Sequence, residues 1–450
     1  MDEIKLSDDV IEQIKDFNYQ HLTEKQKSLI DKLITDKELK ERYKENGLCK
    51  SCKQPNTGFI YCQLCNTQYF KQNFKNWTSG NHDVDEFIQK AQLKAENIHN
   101  VIEWVEYDKF EDVEYLAKGG FGTTFKAVWN DGPWKSNYFN CKLERKGETR
   151  VALKCLHNSQ DITADFLKEV GSSISVFYIH GTIRCLGITK DPKTNNFIMV
   201  MDLERCSLRQ HLNNNFISMN WAGKLHSLRL IAIILKDIHK RGLIHKNFHC
   251  GNILIDYDEI YITDLGLCQP ANVKSSQNTQ NSNKKIYGVL PYVAPEVLRE
   301  KKYTQKSDIY GFGIIAYEIC TGFPPYYDIA HDDLLAMKIC NGLRPKSNYK
   351  IPQFIFDIIN QCWDADPLKR PNAEELQELI EESYNNRNNT VFYKQIEDAD
   401  EINKKPSSTA QSPLSSTSTL SYISHPEAVY TSRILDFKNL PEPKNADSNV

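Results

Sequence analysis

The reading of this chain turns on His245-Lys246-Asn247-Phe248-His249-Cys250-Gly251-Asn252-Ile253-Leu254, followed by Ile262-Thr263-Asp264-Leu265-Gly266. Upstream, Val151-Ala152-Leu153-Lys154 reads as a strand ending in lysine. Before it lies Leu116-Ala117-Lys118-Gly119-Gly120-Phe121-Gly122-Thr123-Thr124-Phe125-Lys126-Ala127-Val128, a glycine-rich hairpin. Such glycines let backbone N–H groups come close to phosphate. Downstream come Ala294-Pro295-Glu296, Ser307-Asp308-Ile309-Tyr310-Gly311-Phe312-Gly313, and Cys362-Trp363 with Pro367-Leu368-Lys369-Arg370-Pro371. Short β-type runs (Val113–Leu116, Thr123–Trp129, Arg150–Leu156, Phe197–Met201) precede helical runs (Leu225–Arg241, Thr304–Thr321, Phe354–Trp363, Ala373–Tyr384). Strands first and helices afterwards predict a two-lobed α+β body.

This ordered series resembles the eukaryotic protein kinase domain, close to its tyrosine-kinase-like branch, over residues 109–385. With paired cysteines ahead of it and a hydroxyl-rich stretch behind, the chain is similar to expanded kinase-like families of fungi. The resemblance implies a small β-rich N-lobe, a large helical C-lobe, and use of ATP with magnesium. Residue by residue, Lys154 resembles the strand lysine on the α and β phosphates, with Glu169 as its helix partner. Asn252 and Asp264 resemble the two magnesium ligands. Lysine neutralises phosphate, and two hard oxygens suit an ion that takes few carboxylates beside phosphate. Gly119, Gly120 and Gly122 form the lid, Met201 falls at the gatekeeper, and Asp202 to Leu203 at the hinge. Asp308 is expected to accept backbone hydrogen bonds from the catalytic loop, and Glu296 to pair with Arg370.

Asn247 departs from the pattern. Active members carry aspartate there to accept the substrate hydroxyl proton, and a neutral amide takes no proton usefully at pH 7. Lys246 replaces an arginine and loses its bidentate fork. His249 stands where serine/threonine kinases have a phosphate-contacting lysine, as a neutral donor or a surrogate base. Val289 replaces a threonine, Leu265 a phenylalanine and Ala117 a glycine. Gly171, Ser172 and Ser173 weaken the helix after Glu169. The polar run Ser275–Lys285 could be ordered by phosphorylation through Lys246 or Lys284. The resemblance with Asn247 in that place implies an ATP-binding, kinase-like signalling protein whose phosphotransfer is weak or absent. An active protein kinase acting on protein hydroxyls is the alternative. A zinc-directed interaction protein with a nucleotide-free kinase fold is a third reading.

Ahead of the kinase-like stretch, Cys49-x2-Cys52 and Cys62-x2-Cys65 place two thiols on each of two tight turns. Two such pairs supply a tetrahedral four-sulfur set, which suits a closed structural zinc site. The module spans 47–66, with Pro55–Gly58 read as a turn and Phe59–Tyr61 as a possible strand. Residues 1–46 show helical periodicity, with capping-box spacing at Thr23/Gln26 and Thr35/Glu38. Residues 67–108 read as a linker with a helix from Asp83 to about Asn97. From 386 to 450 the composition turns to Asn, Ser, Thr and Pro, which reads as mostly disordered. One apolar cluster there, Ala428, Val429, Tyr430, Ile434, Leu435 and Phe437, is suited to docking on a partner or on the body.

Composition sets the outer limits. The formal net charge of the 450 residues is −3, so nothing pulls the whole chain toward nucleic acid or an anionic membrane surface. The acidic start Met1–Lys5 is not that of a secretory signal, and the longest apolar run, Leu230–Leu235, is too short to span a bilayer. Thirteen cysteines, an odd and dispersed set, read as reduced thiols. A cytoplasmic protein working on protein substrates or signalling partners is the expectation.

Overall fold

The computed structural model describes residues 5–120, 122–137, 142–156, 166–167, 170–171, 174, 181–265, 269–270, 286–300, 302–346, 349–386, 389–404 and 422–445. The chain divides into two compact units, Met1–Phe177 with Arg184–Leu203, and Tyr178–Ile183 with Glu204–Val450. It has the α+β, two-lobed kinase architecture, with a helical and cysteine-rich region at its N-terminal end.

The first unit opens with helices α1 (Asp8–Ile14), α2 (Glu24–Leu33) and α3 (Lys37–Asn46). Their apolar faces close on one core that includes Ile14, Ile30, Ile34 and Tyr43. The Thr23/Gln26 capping box forms. The second expected cap shifts by one residue: Asp36, not Thr35, caps α3, its Oδ1 accepting the Leu39 N–H at 2.8 Å. A carboxylate is favoured at a helix N-terminus, where the exposed N–H groups carry positive charge. Gln54 ties this bundle to the cysteine region. Its Oε1 accepts the Leu6 N–H at 2.7 Å, and its Nε2 donates to the Leu6 carbonyl at 3.0 Å.

The expected linker holds more than one helix. Helices α4 (Gln63–Asn73) and α5 (His82–Lys94) pack together, and strand β1 (Glu103–Trp104) joins the main sheet. The other strands are β2 (Phe110–Lys118), β3 (Gly122–Trp129), β4 (Trp134–Ser136), β5 (Leu143–Arg145), β6 (Thr149–Leu156), β7 (Cys185–Lys190) and β8 (Phe197–Asp202). The six-stranded sheet has the order β1-β7-β8-β6-β3-β2, and β4 pairs with β5 as a separate hairpin. All its neighbours are antiparallel except β1 with β7. Alternation sorts the side chains by face. Val151, Leu153, Ile198 and Val200 enter one core with Trp129, and Ala152, Lys154, Met199 and Met201 take the opposite face. The β4–β5 hairpin packs on the cysteine region, with Trp134 and Leu143 against the cluster of Tyr61, Phe70, Ala95 and Val101.

The second unit is helical, built around the buried helix Gln305–Thr321 and the long helix Trp221–Lys240. Helices Gln353–Cys362 and Ala373–Asn385 complete its core. Gly311 lets the buried helix approach the Asn247 loop closely, since a Cβ there would come within 3.1 Å of the Phe248 carbonyl oxygen. Part of the stretch read as mostly disordered is ordered. Residues Thr390–Lys404 form a helix, from which Asp400 accepts the Trp221 indole N–H at 2.9 Å. The apolar cluster near 430 docks on the body: strand Arg433–Leu435 pairs antiparallel with Ile286–Gly288.

Candidate active site and metal centre

The four cysteine Sγ atoms of Cys49, Cys52, Cys62 and Cys65 all lie within 4.8 Å of one another. Cys49 and Cys65 are 3.8 Å apart, and Cys52 and Cys62 are 3.5 Å apart. A tetrahedral zinc with sulfur at about 2.3 Å asks for sulfur–sulfur separations of about 3.8 Å. The donor set therefore fits the ion. The first pair sits on a turn in which the Cys49 N–H donates to Gln54 at 2.8 Å and Lys53 N–H to Cys49 at 3.0 Å. Gly47 enters it at φ +65°, where a Cβ would strike the Tyr19 ring. The second pair is not a free knuckle turn. Cys62 is the N-cap of α4 and Cys65 lies in its first turn, where the helix dipole favours thiolate. The possible strand 59–61 is instead a tight turn, with Gly58 bridged to Tyr61. Burial and the neighbouring Cys49 raise the pKa of the Cys65 thiol, and a cation among the four sulfurs would offset this and favour thiolates.

In the first unit, Lys154 lies on β6 between Thr124 of β3 and Met199 of β8. Met201 and Asp202 end β8, and Asp202 meets Arg184 at 3.4 Å. The β2–β3 turn is closed by the Gly119 N–H donating to the Gly122 carbonyl at 2.8 Å. A Cβ on Gly122 would come within 2.2 Å of the Cys155 carbonyl oxygen, so only glycine brings these strands together there. Glu169, Gly266 and the run Ser275–Lys285 lie outside the described residues.

The second unit gathers Asn247, Asn252 and Asp264. Asp308 organises the loop that carries Asn247. Its carboxylate accepts the His245 N–H at 2.8 Å and the Lys246 N–H at 3.0 Å, and lies 2.9 Å from His239 Nε2. His245 Nε2 donates to the Thr263 carbonyl at 3.1 Å while its Nδ1 accepts the Asn247 N–H at 3.3 Å, which fixes the tautomer. Asn252 Nδ2 donates to the Asn247 carbonyl at 3.0 Å, and the Thr263 N–H to the Asn252 carbonyl at 3.0 Å. Asp264 has φ +67° and Lys246 φ +70°, a left-handed backbone that non-glycine residues adopt at a cost. Asp264 is close enough to act on the ionisation of both His245 and His249.

His249 is buried, and burial, with Arg209 nearby, pulls its pKa down to about 3. Its Nδ1 accepts the Gly251 N–H at 3.1 Å, so the proton sits on Nε2 and the ring is a neutral donor. What it donates to is a residue that the motifs do not mark. Ser432 Oγ lies 3.2 Å from His249 Nε2 and donates to Asn247 Oδ1 at 2.7 Å. The only signal of this contact in the sequence is the apolar cluster around it. Asn247 Nδ2 is buried with no partner among the described residues.

The chain belongs to the protein tyrosine and serine/threonine kinase family, whose profile matches residues 110–380. It is similar to the protein kinase and PP2C-like domain-containing protein of Arabidopsis thaliana, 29% identical over 187 residues, covering 34% of this chain and 28% of that protein. It is similar to the tyrosine-protein kinase FRK of Homo sapiens, 26% identical over 301 residues, covering 65% of this chain and 56% of that one. The dual specificity protein kinase pyk3 of Dictyostelium discoideum is 24% identical over 311 residues, covering 67% of this chain and 21% of its own. The chain thus spans less than two thirds of the length of each of these relatives. No described helix is long and apolar enough to cross a membrane, and the described cysteines are free thiols.

Proposed function

We propose that the chain is an ATP-binding, kinase-fold signalling protein of the cytoplasm in which transfer to protein hydroxyls is weak or absent. The observation that carries this is the contact between Ser432 Oγ and Asn247 Oδ1, a hydroxyl resting on an amide. An amide oxygen orients a hydroxyl but does not take its proton at neutral pH, and loss of a general base typically costs about 10² to 10⁴-fold. The remaining parts suit nucleotide. Lys154 would hold the α and β phosphates under the turn of Gly119, Gly120 and Gly122, with Met201, Asp202 and Leu203 beside the base. Asn252 and Asp264 would hold magnesium, which when bound neutralises charge on the transferring phosphoryl group. The orphan donor on Asn247 Nδ2 fits an acceptor such as a phosphoryl oxygen. Glu169 is proposed as the partner of Lys154. The four cysteines hold a structural zinc ion, and the tyrosine-kinase-like branch is the placement proposed within the family.

An active kinase is the second reading, favoured by the relatives, among them a tyrosine-protein kinase and a dual specificity protein kinase. The test is transfer of γ-phosphate by the purified full chain, to itself and to generic protein acceptors. Wild type is expected to be silent or slow, with Asn247→Asp raising the rate about 10² to 10⁴-fold and Asp264→Ala abolishing it. Wild-type transfer that Asp264→Ala abolishes and Asn247→Asp does not raise would establish the active kinase instead.

A further inference from the structure

Residues 422–445 run along the second unit as a strap, and its anchors are spaced like the contacts of a bound peptide. At its centre is Ser432, buried between Asn247 and His249. Tyr430, two residues earlier, lays its ring 4.2 Å from the Arg209 guanidinium and donates its hydroxyl to the Pro325 carbonyl at 2.9 Å. Arg209 is held from behind by buried Glu318 at 3.1 Å, so a fixed cation faces the aromatic ring. Leu435, three residues after the serine, is buried. Between serine and leucine the backbone is an added strand: Arg433, Ile434 and Leu435 pair with Gly288, Tyr287 and Ile286. Strand addition supplies affinity through the main chain while side-chain pockets supply specificity.

We propose that the second unit carries a groove for an extended seryl peptide, with an aromatic residue two positions before the serine and an aliphatic one three after. Residues 422–445 are its resident occupant and exclude peptides offered in trans. The proposal rests on the kinase reading for the meaning of Asn247 as the acceptor position, but none of its contacts involves nucleotide. The occupant is held and not consumed. The Ser432 hydroxyl gives its hydrogen to an amide oxygen and receives one from the His249 ring, so neither neighbour is set to take its proton. Both flanks are tied as well. The His425 N–H donates to the Tyr327 carbonyl at 2.7 Å, and the Lys444 N–H to the Cys340 carbonyl at 2.9 Å. A segment tethered to its own groove competes at the high effective concentration of an intramolecular ligand.

The experiment uses the full chain, nucleotide-free, as wild type, as Tyr430→Ala/Leu435→Asp, and as Ser432→Trp. All substitutions lie in the tail, outside the residues matched by the family profile. A fluorescent synthetic peptide of sequence 422–445 is titrated against each, and backbone hydrogen exchange is followed at 286–288 and 433–435. Wild type is expected to protect these amides and to bind the peptide at least about tenfold more weakly than both variants. A peptide carrying Leu435→Asp is expected to bind none of them. Equal peptide binding by wild type and variants, no binding by any, or exchange as fast in wild type as in the variants would overturn the proposal. Stabilisation by ATP and magnesium is measured separately on the same three proteins. Its absence would remove the nucleotide reading and leave the groove result standing.

Discussion

Arg370 holds Glu296 through two parallel hydrogen bonds, Nη1 to Oε1 at 2.7 Å and Nη2 to Oε2 at 2.8 Å. The guanidinium is wholly buried and also donates to the carbonyls of Asp364 at 2.8 Å and Lys306 at 2.9 Å. One side chain thus joins helix Pro295–Glu300, helix Gln305–Thr321 and the turn before residue 370.

Removing one partner strands the other charge in a dry site. Arg370→Ala is expected to cost on the order of 3–5 kcal/mol. Lysine cannot reproduce the fork, so Arg370→Lys should recover only part of it. Denaturant unfolding of the full chain measures both, and a loss within error of zero for Arg370→Ala would show that the pair carries no stability.

The cysteine site leads to a metal prediction. One zinc per chain is expected by atomic absorption, lost in Cys62→Ser and on strong chelation. Because Tyr61 and Phe70 share a cluster with Trp134 and Leu143, loosening should spread from the cysteine region to the β4–β5 hairpin. Hydrogen exchange at residues 134–136 and 143–145 reads this directly. Unchanged exchange after complete metal removal would mean that the module folds without the ion.

How much of this was legible follows from what each motif contacts. The resemblance to the kinase domain implies the backbone contacts of Asp308, and its carboxylate accepts the His245 and Lys246 N–H groups as expected. The strand carrying Lys154 is legible as a short β-type run ending in lysine, and the structure has β6 there. The cap of α3 was misplaced by one residue, since Thr35 and Asp36 both suit an N-cap and only the backbone decides between them. The second cysteine pair looked like a turn, although the helix behind it is of weakly patterned sequence. The docked tail was the least legible. Its pairing of 433–435 with 286–288 joins segments far apart in the chain, and a hydroxyl-rich composition hides three ordered contacts. The cluster around Tyr430 was the one local sign.

Nucleotide binding is read without chemistry. A ligand at 100 times its dissociation constant adds about 2.7 kcal/mol of stability. Wild type is therefore expected to show a clear thermal shift with ATP and magnesium. Lys154→Ala should weaken it, and Asp264→Ala should remove its magnesium dependence. No shift in wild type at millimolar MgATP would leave the kinase fold as a body without nucleotide.

Acid stability tests the buried imidazole. In the unfolded chain a histidine takes up its proton near pH 6.5, but burial holds His249 neutral down to about 3. Arg209 and His245 oppose the charged form, and Asp264 favours it without prevailing. Below pH 6.5 the unfolded state thus binds a proton that the folded state refuses, so stability is full above that pH and falls as pH drops toward 3. One such group contributes a slope of about 1.4 kcal/mol per pH unit. His245 is also held below its ordinary value by burial and adds to the same limb. His249→Gln keeps a donor beside Ser432 and removes one titration. Between pH 4 and 6 the variant should lose stability less steeply than wild type, by close to that single-proton slope. Parallel curves for the two proteins would show that His249 takes up its proton in the folded state as readily as in water.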